Sequence, residues 1–380
     1  MSAIPLRLTL VTETYPPEVN GVALTLHALQ RGLCALGHAV EVIRPQPQLR
    51  GAVPPGQYFV PGGPVPRYRG LRFGFPAAGR LRERWEQRRP DAVYVATEGP
   101  LGWSAIRAAR ALGVPVASGF HTRFDDYASR YGARWLAPLA LAWLRHVHNQ
   151  SDVTLVPTRE LAAFLEPRGF RSVELLRRAV DTERFHPARR DLRLREAWGV
   201  GSDQLAVLHV GRLAREKNLG LLARAFRALQ QHRPDARCIV IGDGPERAAL
   251  QQAQPDFVFA GLQQDAALAA HYASGDLFVF PSLSETFGNV TLEAMASGLA
   301  VVAFDYGAAR EHLEHGRSGA AVAPGDADAF VAATLRFGHD DALRRRCASA
   351  ARHQVEDLRP ERVARSFAQR LGRLARRVVA

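Results

Sequence analysis

The sequence predicts an α/β protein of two doubly wound units, each a parallel β-sheet with helices on both faces. Short, continuously apolar segments recur along the chain, and segments with helical periodicity separate them, as in sheets buried on both sides. This series of strands and helices restarts near the middle of the chain. The chain has 380 residues, which exceeds the usual size of one hydrophobic core, so two domains are expected.

The first half contains six apolar segments that read as parallel strands. A helix is expected at 23–36, where the periodic pattern ends at Gly37. The predicted strands are 6–11, 39–43, 92–95, 115–117, 153–156 and 173–176.

The second half repeats the pattern, with a helix from about Leu219 to Leu229. A basic amphipathic helix is expected at 359–380 and should pack back on the first domain. We expect an N-terminal domain at 1–180 and a C-terminal domain at 181–358, because periodicity breaks at the join. The predicted strands are 206–210, 237–241, 258–260, 277–280 and 300–303.

Charge is distributed unevenly along the chain. The formal net charge is +13. Residues 1–180 hold 23 Arg against 13 acidic residues, so the first half carries nearly all of the excess. This indicates an anionic partner for that half, such as a membrane, a nucleic acid or an acidic substrate. The three cysteines lack metal-ligand spacing and are expected to be reduced.

The chain has one lysine, Lys217, against 49 arginines. It follows a predicted strand and Gly211, and it precedes the helix that begins near Leu219. A strand, a glycine, a basic loop and a helix N-terminus form an anion-binding arrangement. Lysine is a compact, mobile charge, whereas arginine is a planar fork, so the retained lysine indicates a phosphate ligand at this loop.

A second constellation lies in the sequence Glu-Thr-Phe-Gly-Asn-Val-Thr-Leu-Glu at 285–293. Glu285 is expected in a loop and Glu293 about two turns along the helix that follows. Gly288, Asn289 and Val290 should present backbone N–H groups at the start of that helix. Carboxylates beside such amides suit a polyhydroxy ligand that carries phosphate.

This constellation resembles the Glu-x7-Glu motif of glycosyltransferase family 4, whose members are retaining enzymes of the GT-B fold. The resemblance covers nearly the whole chain and is closest from 205 to 325. It implies two Rossmann-like domains that face a cleft. The other segments that carry it are Val-Gly-Arg-Leu at 210–213 with Lys217-Asn218, Ile-Gly-Asp-Gly-Pro at 241–245, Phe-Ala-Gly at 259–261, Tyr-Ala-Ser-Gly-Asp-Leu at 272–277 and Glu-Ala-Met-Ala-Ser-Gly at 293–298.

The resemblance implies how the second domain binds a nucleotide-sugar donor. Arg212 and Lys217 would bind the diphosphate and stabilise the charge that develops on the leaving group. Glu293 would accept the ribose hydroxyls, and Glu285 would contact the transferred sugar. The backbone at Gly211, Gly242, Gly261, Gly288, Asn289 and Val290 would border the phosphates, sugar or nucleoside. The resemblance also implies metal independence, so no metal is expected.

The resemblance also implies an acceptor side in the first domain. Gly21, in the loop after the first strand, would approach the donor phosphate or the acceptor closely. His121 would face the reacting sugar, and Asp125 and Asp126 lie nearby with a loop or capping role equally open. Arg178 and Asp181 are expected to lie at a hinge or cleft. They belong to a linker in which the family often has glycine at the positions of Arg177 and Ala179.

Two segments of the first domain interleave basic with apolar or aromatic residues, at 67–89 and 134–148. Such segments can lie in an anionic membrane interface. We therefore expect a peripheral enzyme on the inner face of the cytoplasmic membrane, with a lipid or glycolipid acceptor such as diacylglycerol. The apolar run at 135–144 is too short to span a bilayer.

Several alternatives stay open from the sequence. UDP-glucose, UDP-glucuronate and GDP-mannose all fit as the donor, and a soluble or polysaccharide sugar is an alternative acceptor. A nucleotide-sugar epimerase or a phosphorylase of the same fold is a second enzyme class. A nucleic-acid binder is not expected, because no RNA- or DNA-binding signature accompanies the charge.

Overall fold

A computed structural model gives the fold of this chain and describes residues 5–18, 20–47, 54–65, 72–121, 137–285 and 287–379. The chain divides into two compact units. The first unit comprises Met1–Ala179 with Pro360–Ala380, and the second comprises Val180–Arg359.

The first unit is built on a seven-stranded sheet of order β3-β2-β1-β6-β7-β8-β9, in which all neighbouring strands are parallel. A separate antiparallel pair, β4 and β5, lies outside this sheet. The strands are β1 (Arg7–Val11), β2 (Ala39–Pro45), β3 (Gln57–Val60), β4 (Gly62–Pro64), β5 (Arg72–Gly74), β6 (Ala92–Val95), β7 (Val116–Gly119), β8 (Val153–Val156) and β9 (Val173–Leu175).

Helices cover both faces of this sheet. The C-terminal helix returns to the first unit and packs on the first helix so closely that a Cβ on Gly32 would lie 2.5 Å from the Cβ of Ala364. Phe367 of the same helix is fully buried and packs edge-on against Tyr94, with ring centroids 4.9 Å apart. The helices are α1 (Gly21–Ala35), α2 (Ala78–Gln87), α3 (Pro100–Ala111), α4 (Ala137–His148), α5 (Arg159–Leu165) and, at the end of the chain, α14 (Pro360–Val379).

The second unit is built on a six-stranded parallel sheet of order β12-β11-β10-β13-β14-β15. Its strands are β10 (Ala206–Val210), β11 (Arg237–Ile241), β12 (Val258–Gly261), β13 (Leu277–Phe280), β14 (Ala300–Phe304) and β15 (Gly319–Val322). Its helices are α6 (Leu192–Ala197), α7 (Leu219–Gln230), α8 (Arg247–Ala253), α9 (Asp265–Ser274), α10 (Asn289–Ala296), α11 (Gly307–His312), α12 (Ala327–His339) and α13 (Asp341–Val355).

The second sheet has a hydrophobic core on each face. One core joins β-strand side chains to α7 and α12, through residues such as Leu222, Phe226 and Phe330. The other joins them to α9 and α10, through residues such as Tyr272 and Leu292. Because both faces are covered, the strands carry continuous apolar runs, which is the pattern that the sequence shows.

The predicted fold class, two α/β units with parallel sheets, is confirmed. Five predicted strands have the bounds that the structure gives, namely those at 92–95, 153–156, 206–210, 237–241 and 277–280. The prediction lacked β3, β4, β5 and β15. These strands are three or four residues long and contain few branched apolar residues, so neighbouring strands, and not local propensity, determine them.

Candidate active site

The carboxyl ends of β10 and β11 meet in the second unit through two glycine-containing loops. The Gly211 N–H donates to the Ile241 carbonyl at 3.0 Å, and the Gly242 N–H donates to the Gly261 carbonyl at 2.8 Å. A Cβ on Gly242 would lie 1.9 Å from the Gly211 oxygen, and Gly242 has φ of +133°. Glycine is therefore required at 242 for the two loops to approach each other.

Lys217 lies directly beside this junction. It ends a 3-10 turn, Arg215–Lys217, and Asn218 then adopts a left-handed conformation with φ of +53° before α7 begins. The Lys217 Nζ forms an ion pair with Glu285 Oε1 and lies 5.3 Å from the centroid of the Phe280 ring. Both charged side chains are largely buried, with exposed fractions of 13% and 18%.

The structure thus brings together the two sequence motifs whose partners are 68 residues apart. A buried ion pair of this kind costs desolvation free energy. Lys217 is therefore a positioned cation in a largely buried environment.

The loop after β13 is held in place by side chains that the sequence analysis did not assign. Ser282 donates from its hydroxyl to Glu285 Oε1 at 3.1 Å, and the Leu283 N–H donates to the Glu216 carbonyl at 2.7 Å. The Tyr306 hydroxyl donates to the Ser282 carbonyl. The hydrogen bond from Leu283 to Glu216 connects the Glu285 loop to the Lys217 turn.

The first turn of α10 offers the backbone donors that the sequence predicted. Gly288 caps the helix with φ of +93°, and a Cβ there would lie 3.4 Å from Cγ of Glu285. Asn289 and Val290 occupy the first two helical positions, whose N–H groups have no acceptor inside a helix. The helix N-terminus therefore lies against the Lys217–Glu285 pair, as an anion site requires.

Glu293 lies on α10 a little over one turn from its start, closer than the two turns expected from the sequence. The Tyr272 hydroxyl donates to Glu293 Oε2 at 3.0 Å. Burial raises the pKa of Glu293 to about 7, against the hydrogen bond from Tyr272 and the charge of Arg184, which lower it. A carboxylate poised between its two protonation states near neutral pH fits a group that accepts ligand hydroxyls.

Arg212 occupies a more open position. Its guanidinium donates to Glu216 Oε1 at 2.6 Å, and its side chain is 52% exposed. The arrangement leaves Arg212 on the solvent side of the same loop that carries Lys217. A surface ion pair of this kind contributes little free energy.

In the first unit, the loop after β1 leads into α1 through Asn20. The Asn20 side chain caps the helix by accepting from the N–H groups of Val22 and Ala23, at 3.1 and 3.0 Å. Gly21 is the first residue of α1 and is exposed. Asn20 is thus the N-cap of α1, directly before Gly21.

Glu13 in this loop is a residue whose role the sequence analysis missed. Its carboxylate accepts from the Leu101 N–H at 3.1 Å and from the Gly74 N–H at 3.3 Å. Burial raises its pKa to about 7. Glu13 thus joins the β1 loop to the start of α3 and to β5, a contact between distant segments that no local pattern announces.

His121 follows β7 and is 7% exposed. Its Nε2 lies 2.7 Å from the Tyr94 hydroxyl and its Nδ1 lies 2.6 Å from an Arg178 nitrogen. Burial lowers the pKa of His121, and the positive charge of Arg178 lowers it further. Arg178, which was expected at a hinge or cleft, is buried and contacts His121, and it lies next to the boundary between the two units, at Ala179 and Val180.

Other sequence predictions fall partly or wholly elsewhere. Asp125, Asp126 and the segments 66–71 and 122–136 lie outside the described residues. The basic and aromatic segment 67–89 does not form one exposed surface in its described part, because Trp85 is 1% exposed and belongs to the core. Asp181 is half-buried, and its carboxylate accepts from the N–H groups of Glu183 and Arg184 at 3.2 and 2.9 Å.

No metal-binding group of three or more His, Cys, Asp or Glu side chains occurs in the part of the chain that the structure describes. Within that same part, no helix is both long enough and apolar enough to cross a bilayer.

Comparison with known proteins agrees with this geometry. A family model described as Glycosyltransferase Family 4 matches residues 19–184, and one described as Glycosyl transferases group 1 matches residues 204–340. The chain is 34% identical over 366 residues to a GDP-mannose-dependent alpha-mannosyltransferase of Mycobacterium tuberculosis, covering 92% of each chain. It is 34% identical over 303 residues to the sulfoquinovosyl transferase SQD2 of Arabidopsis thaliana, covering 77% of this chain and 58% of that protein.

A solved structure supports the fold. Sucrose-phosphate synthase from Thermosynechococcus elongatus superposes with a TM-score of 0.77 at 20% identity, covering 97% of this chain and 99% of that one. The matched models, the identity over nearly full length and the shared architecture lead to one conclusion: the chain belongs to glycosyltransferase family 4 and is a hexosyltransferase of the GT-B fold.

Proposed function

We propose that this enzyme transfers mannose from GDP-mannose to a lipid or glycolipid acceptor with retention of anomeric configuration. The observation that carries the proposal is the Lys217–Glu285 pair beside Gly211 and the α10 N-terminus, with Glu293 further along the helix. The choice of donor rests on relatives named for GDP-mannose, such as a protein of Mycolicibacterium smegmatis that is 36% identical over 358 residues and is covered to 92%.

In this proposal the second unit is the donor domain. Lys217 and Arg212 bind the diphosphate, and the amides of Gly288, Asn289 and Val290 bind phosphate or sugar oxygens. Glu293 accepts the ribose hydroxyls, and Glu285 turns to the hydroxyls of the sugar when phosphate displaces it from Lys217. The glycines at 211, 242 and 261 have no side chains that would occupy the space of the nucleotide.

The chemistry follows from charge. As the bond between the anomeric carbon and the diphosphate breaks, negative charge develops on the leaving oxygens, and Lys217 and Arg212 stabilise it without a metal. The acceptor hydroxyl attacks from the same face and gives its proton to the leaving phosphate. No protein nucleophile is required, and EDTA treatment is expected to leave the activity unchanged.

The first unit serves as the acceptor domain, with His121 facing the reacting sugar and Gly21 admitting donor phosphate or acceptor. A lipid acceptor is supported by the activities for which relatives are named, such as the alpha-monoglucosyldiacylglycerol synthase of Streptococcus pneumoniae, 28% identical over 315 residues. We place the enzyme on the inner face of the cytoplasmic membrane.

An exposed apolar surface on α4 supports the membrane docking. Leu139 and Trp143 are 63% and 48% exposed. Trp143 packs on Trp103 with ring centroids 5.6 Å apart, and Arg145 on the same helix is exposed. Apolar side chains next to cations suit an interface of anionic lipids.

The donor is tested by thermal unfolding with GDP, UDP, ADP and their sugar conjugates, for the wild type and for Lys217→Ala. A ligand at 100 times its dissociation constant adds about 2.7 kcal/mol to the free energy of unfolding. We expect GDP and GDP-mannose to raise the melting temperature of the wild type and to raise that of Lys217→Ala much less. Arg215→Ala is the matched control, because Arg215 is an exposed cation of the same turn.

Stabilisation by UDP alone would replace the mannose donor with a UDP-sugar, and no shift with any nucleotide would count against a transferase. Mass spectrometry of the products then identifies the acceptor. Consumption of the nucleotide sugar without an acceptor would indicate an epimerase, and dependence on free phosphate would indicate a phosphorylase.

Membrane docking is tested by flotation with vesicles that contain phosphatidylglycerol. We expect the wild type to bind them, and the double variant Leu139→Glu with Trp143→Glu to stay unbound. Leu192→Glu changes an equally exposed leucine of the second unit, 62% exposed, and should leave binding intact. Equal binding by all three proteins would refute docking through α4.

A further inference from the structure

A chain of polar contacts connects the two loops of the first unit that the sequence analysis assigned to the acceptor side. The Tyr94 hydroxyl contacts His121, His121 contacts Arg178, and an Arg178 nitrogen donates to the Thr25 hydroxyl at 2.5 Å. Thr25 in turn donates to the Gly21 carbonyl at 2.6 Å. The side chains of Arg178 and Thr25 therefore connect His121 to the start of α1.

The hydrogen-bond roles along this chain follow from elementary chemistry. A guanidinium donates and does not accept, so Nδ1 of His121 must be the unprotonated, accepting nitrogen. The hydrogen of a neutral imidazole then resides on Nε2 and is donated to the Tyr94 oxygen. Burial raises the pKa of Tyr94, so Tyr94 keeps its hydrogen and remains a neutral partner.

The packing leaves little freedom for another arrangement. Arg178 and His121 are 6% and 7% exposed, and Tyr94 is fully buried. A Cβ on Gly119 would lie 2.1 Å from the Tyr94 hydroxyl and 2.5 Å from His121 Nε2. Glycine at 119 is thus the residue that leaves space for the hydrogen bond between these two side chains.

We propose that Arg178 is a positioning residue that fixes His121 as the neutral Nε2–H tautomer and links its ring, through Thr25, to the start of α1. The assignment of a tautomer depends only on the contacts above. The consequence for catalysis rests on the proposed function, in which His121 faces the sugar. A fixed, neutral imidazole contributes through its position and does not exchange a proton with the substrate.

Among the residues that the structure describes, the charged groups that act on His121 favour a neutral ring. Arg178 comes from the segment after β9 and His148 from α4, and the charge of each lowers the pKa of His121. His148 contacts Glu98 at 3.1 Å through Nε2, so that carboxylate is engaged with another histidine. Removing the Arg178 charge is expected to raise the pKa of His121.

The first test is the tautomer itself, read from long-range ¹H–¹⁵N spectra of the full-length protein. His121→Gln identifies the signals of His121 among those of the 13 histidines. We expect the wild type to show Nε2–H and no titration from about pH 6 to pH 8. An Nδ1–H tautomer or a protonated ring in the wild type would overturn the proposal.

The second test uses Arg178→Met, with Arg177→Met as the matched control because Arg177 is the adjacent, exposed arginine. In Arg178→Met, His121 should populate both tautomers and titrate at higher pH than in the wild type. The kcat of Arg178→Met should fall about tenfold to a hundredfold, as expected when the His121 ring is misplaced. The nucleotide-induced thermal shift of this variant should stay unchanged. Arg178→Lys, which keeps a buried donor, should recover part of the loss.

Thr25→Val removes the hydrogen bond between Arg178 and Thr25 and leaves the contact between Arg178 and His121 in place. This variant takes the place of Arg178→Met in the test if Arg178→Met does not fold. It should lower kcat in the same direction and by a smaller factor. Wild-type tautomer and kcat in both Arg178→Met and Thr25→Val would refute the positioning role. Absence of sugar transfer by the wild type would refute the proposed function instead, since the tautomer measurement requires no turnover.

Discussion

Protonation of Glu293 should control how tightly the enzyme binds the ribose of its donor. The pKa of Glu293 is raised to about 7 by burial, and hydrogen bonds from the ribose hydroxyls are stronger to the ionised carboxylate than to the protonated carboxyl group. With this pKa, about one tenth of the free enzyme is ionised at pH 6 and about nine tenths at pH 8. The ribose contribution to affinity should therefore increase about tenfold between these two conditions.

Tyr272→Phe gives a second, independent shift of the same property. The Tyr272 hydroxyl stabilises the ionised carboxylate by donating to it at 3.0 Å. A hydrogen bond to a charged group contributes about 1.5 kcal/mol, which corresponds to about one pKa unit. The variant should move the midpoint of ribose recognition to about pH 8, so that at pH 7 the ribose contribution is several-fold weaker than in the wild type.

Isothermal titration with GDP and with 2′,3′-dideoxy-GDP measures this contribution. The ratio of the two dissociation constants isolates the ribose hydroxyls, because the phosphates titrate alike in both ligands. Tyr58→Phe, which changes a half-buried tyrosine of the first unit, is the control and should behave as the wild type. A ratio that is constant from pH 6 to pH 8, in the wild type and in Tyr272→Phe, would refute the role given to Glu293.

Three further outcomes test other parts of the structure. Lys217→Arg should weaken GDP binding about tenfold, because a planar fork replaces a compact charge in a largely buried site; calorimetry that shows equal affinity for the variant would contradict the diphosphate role. The folded state raises the pKa of Glu293 from 4.5 to about 7, so the ligand-free wild type loses stability as the pH rises through this window. Glu293→Gln should avoid that loss and gain on the order of 3 kcal/mol relative to the wild type by pH 7, and urea unfolding that shows a pH-independent difference would contradict the burial cost. Phe367→Ala should lower the free energy of unfolding by about 3–5 kcal/mol, since Phe367 on the C-terminal helix is fully buried and packs against Tyr94. A loss below 1 kcal/mol would show that this helix contributes little to the stability of the first unit.

The fold class and the two candidate binding loops could be predicted from the amino-acid sequence. Apolar runs of buried parallel strands are a local property, so five strand bounds could be read directly from the chain. The Lys217 turn and the segment 285–293 could be recognised because each motif is contiguous and follows a strand. Both motifs follow strands of one parallel sheet, and ligands bind at the carboxyl ends of such strands.

The tertiary structure alone decided which side chains hold these groups in place. Lys217 pairs with a carboxylate 68 residues away, Glu293 depends on Tyr272, and Glu13 reaches backbone donors at Gly74 and Leu101. Arg178 contacts Thr25 across 153 residues of sequence, so its position in the chain gave no signal of its role. Such partners are selected by packing between distant elements, and burial then sets their protonation states, which no local pattern of residues can specify.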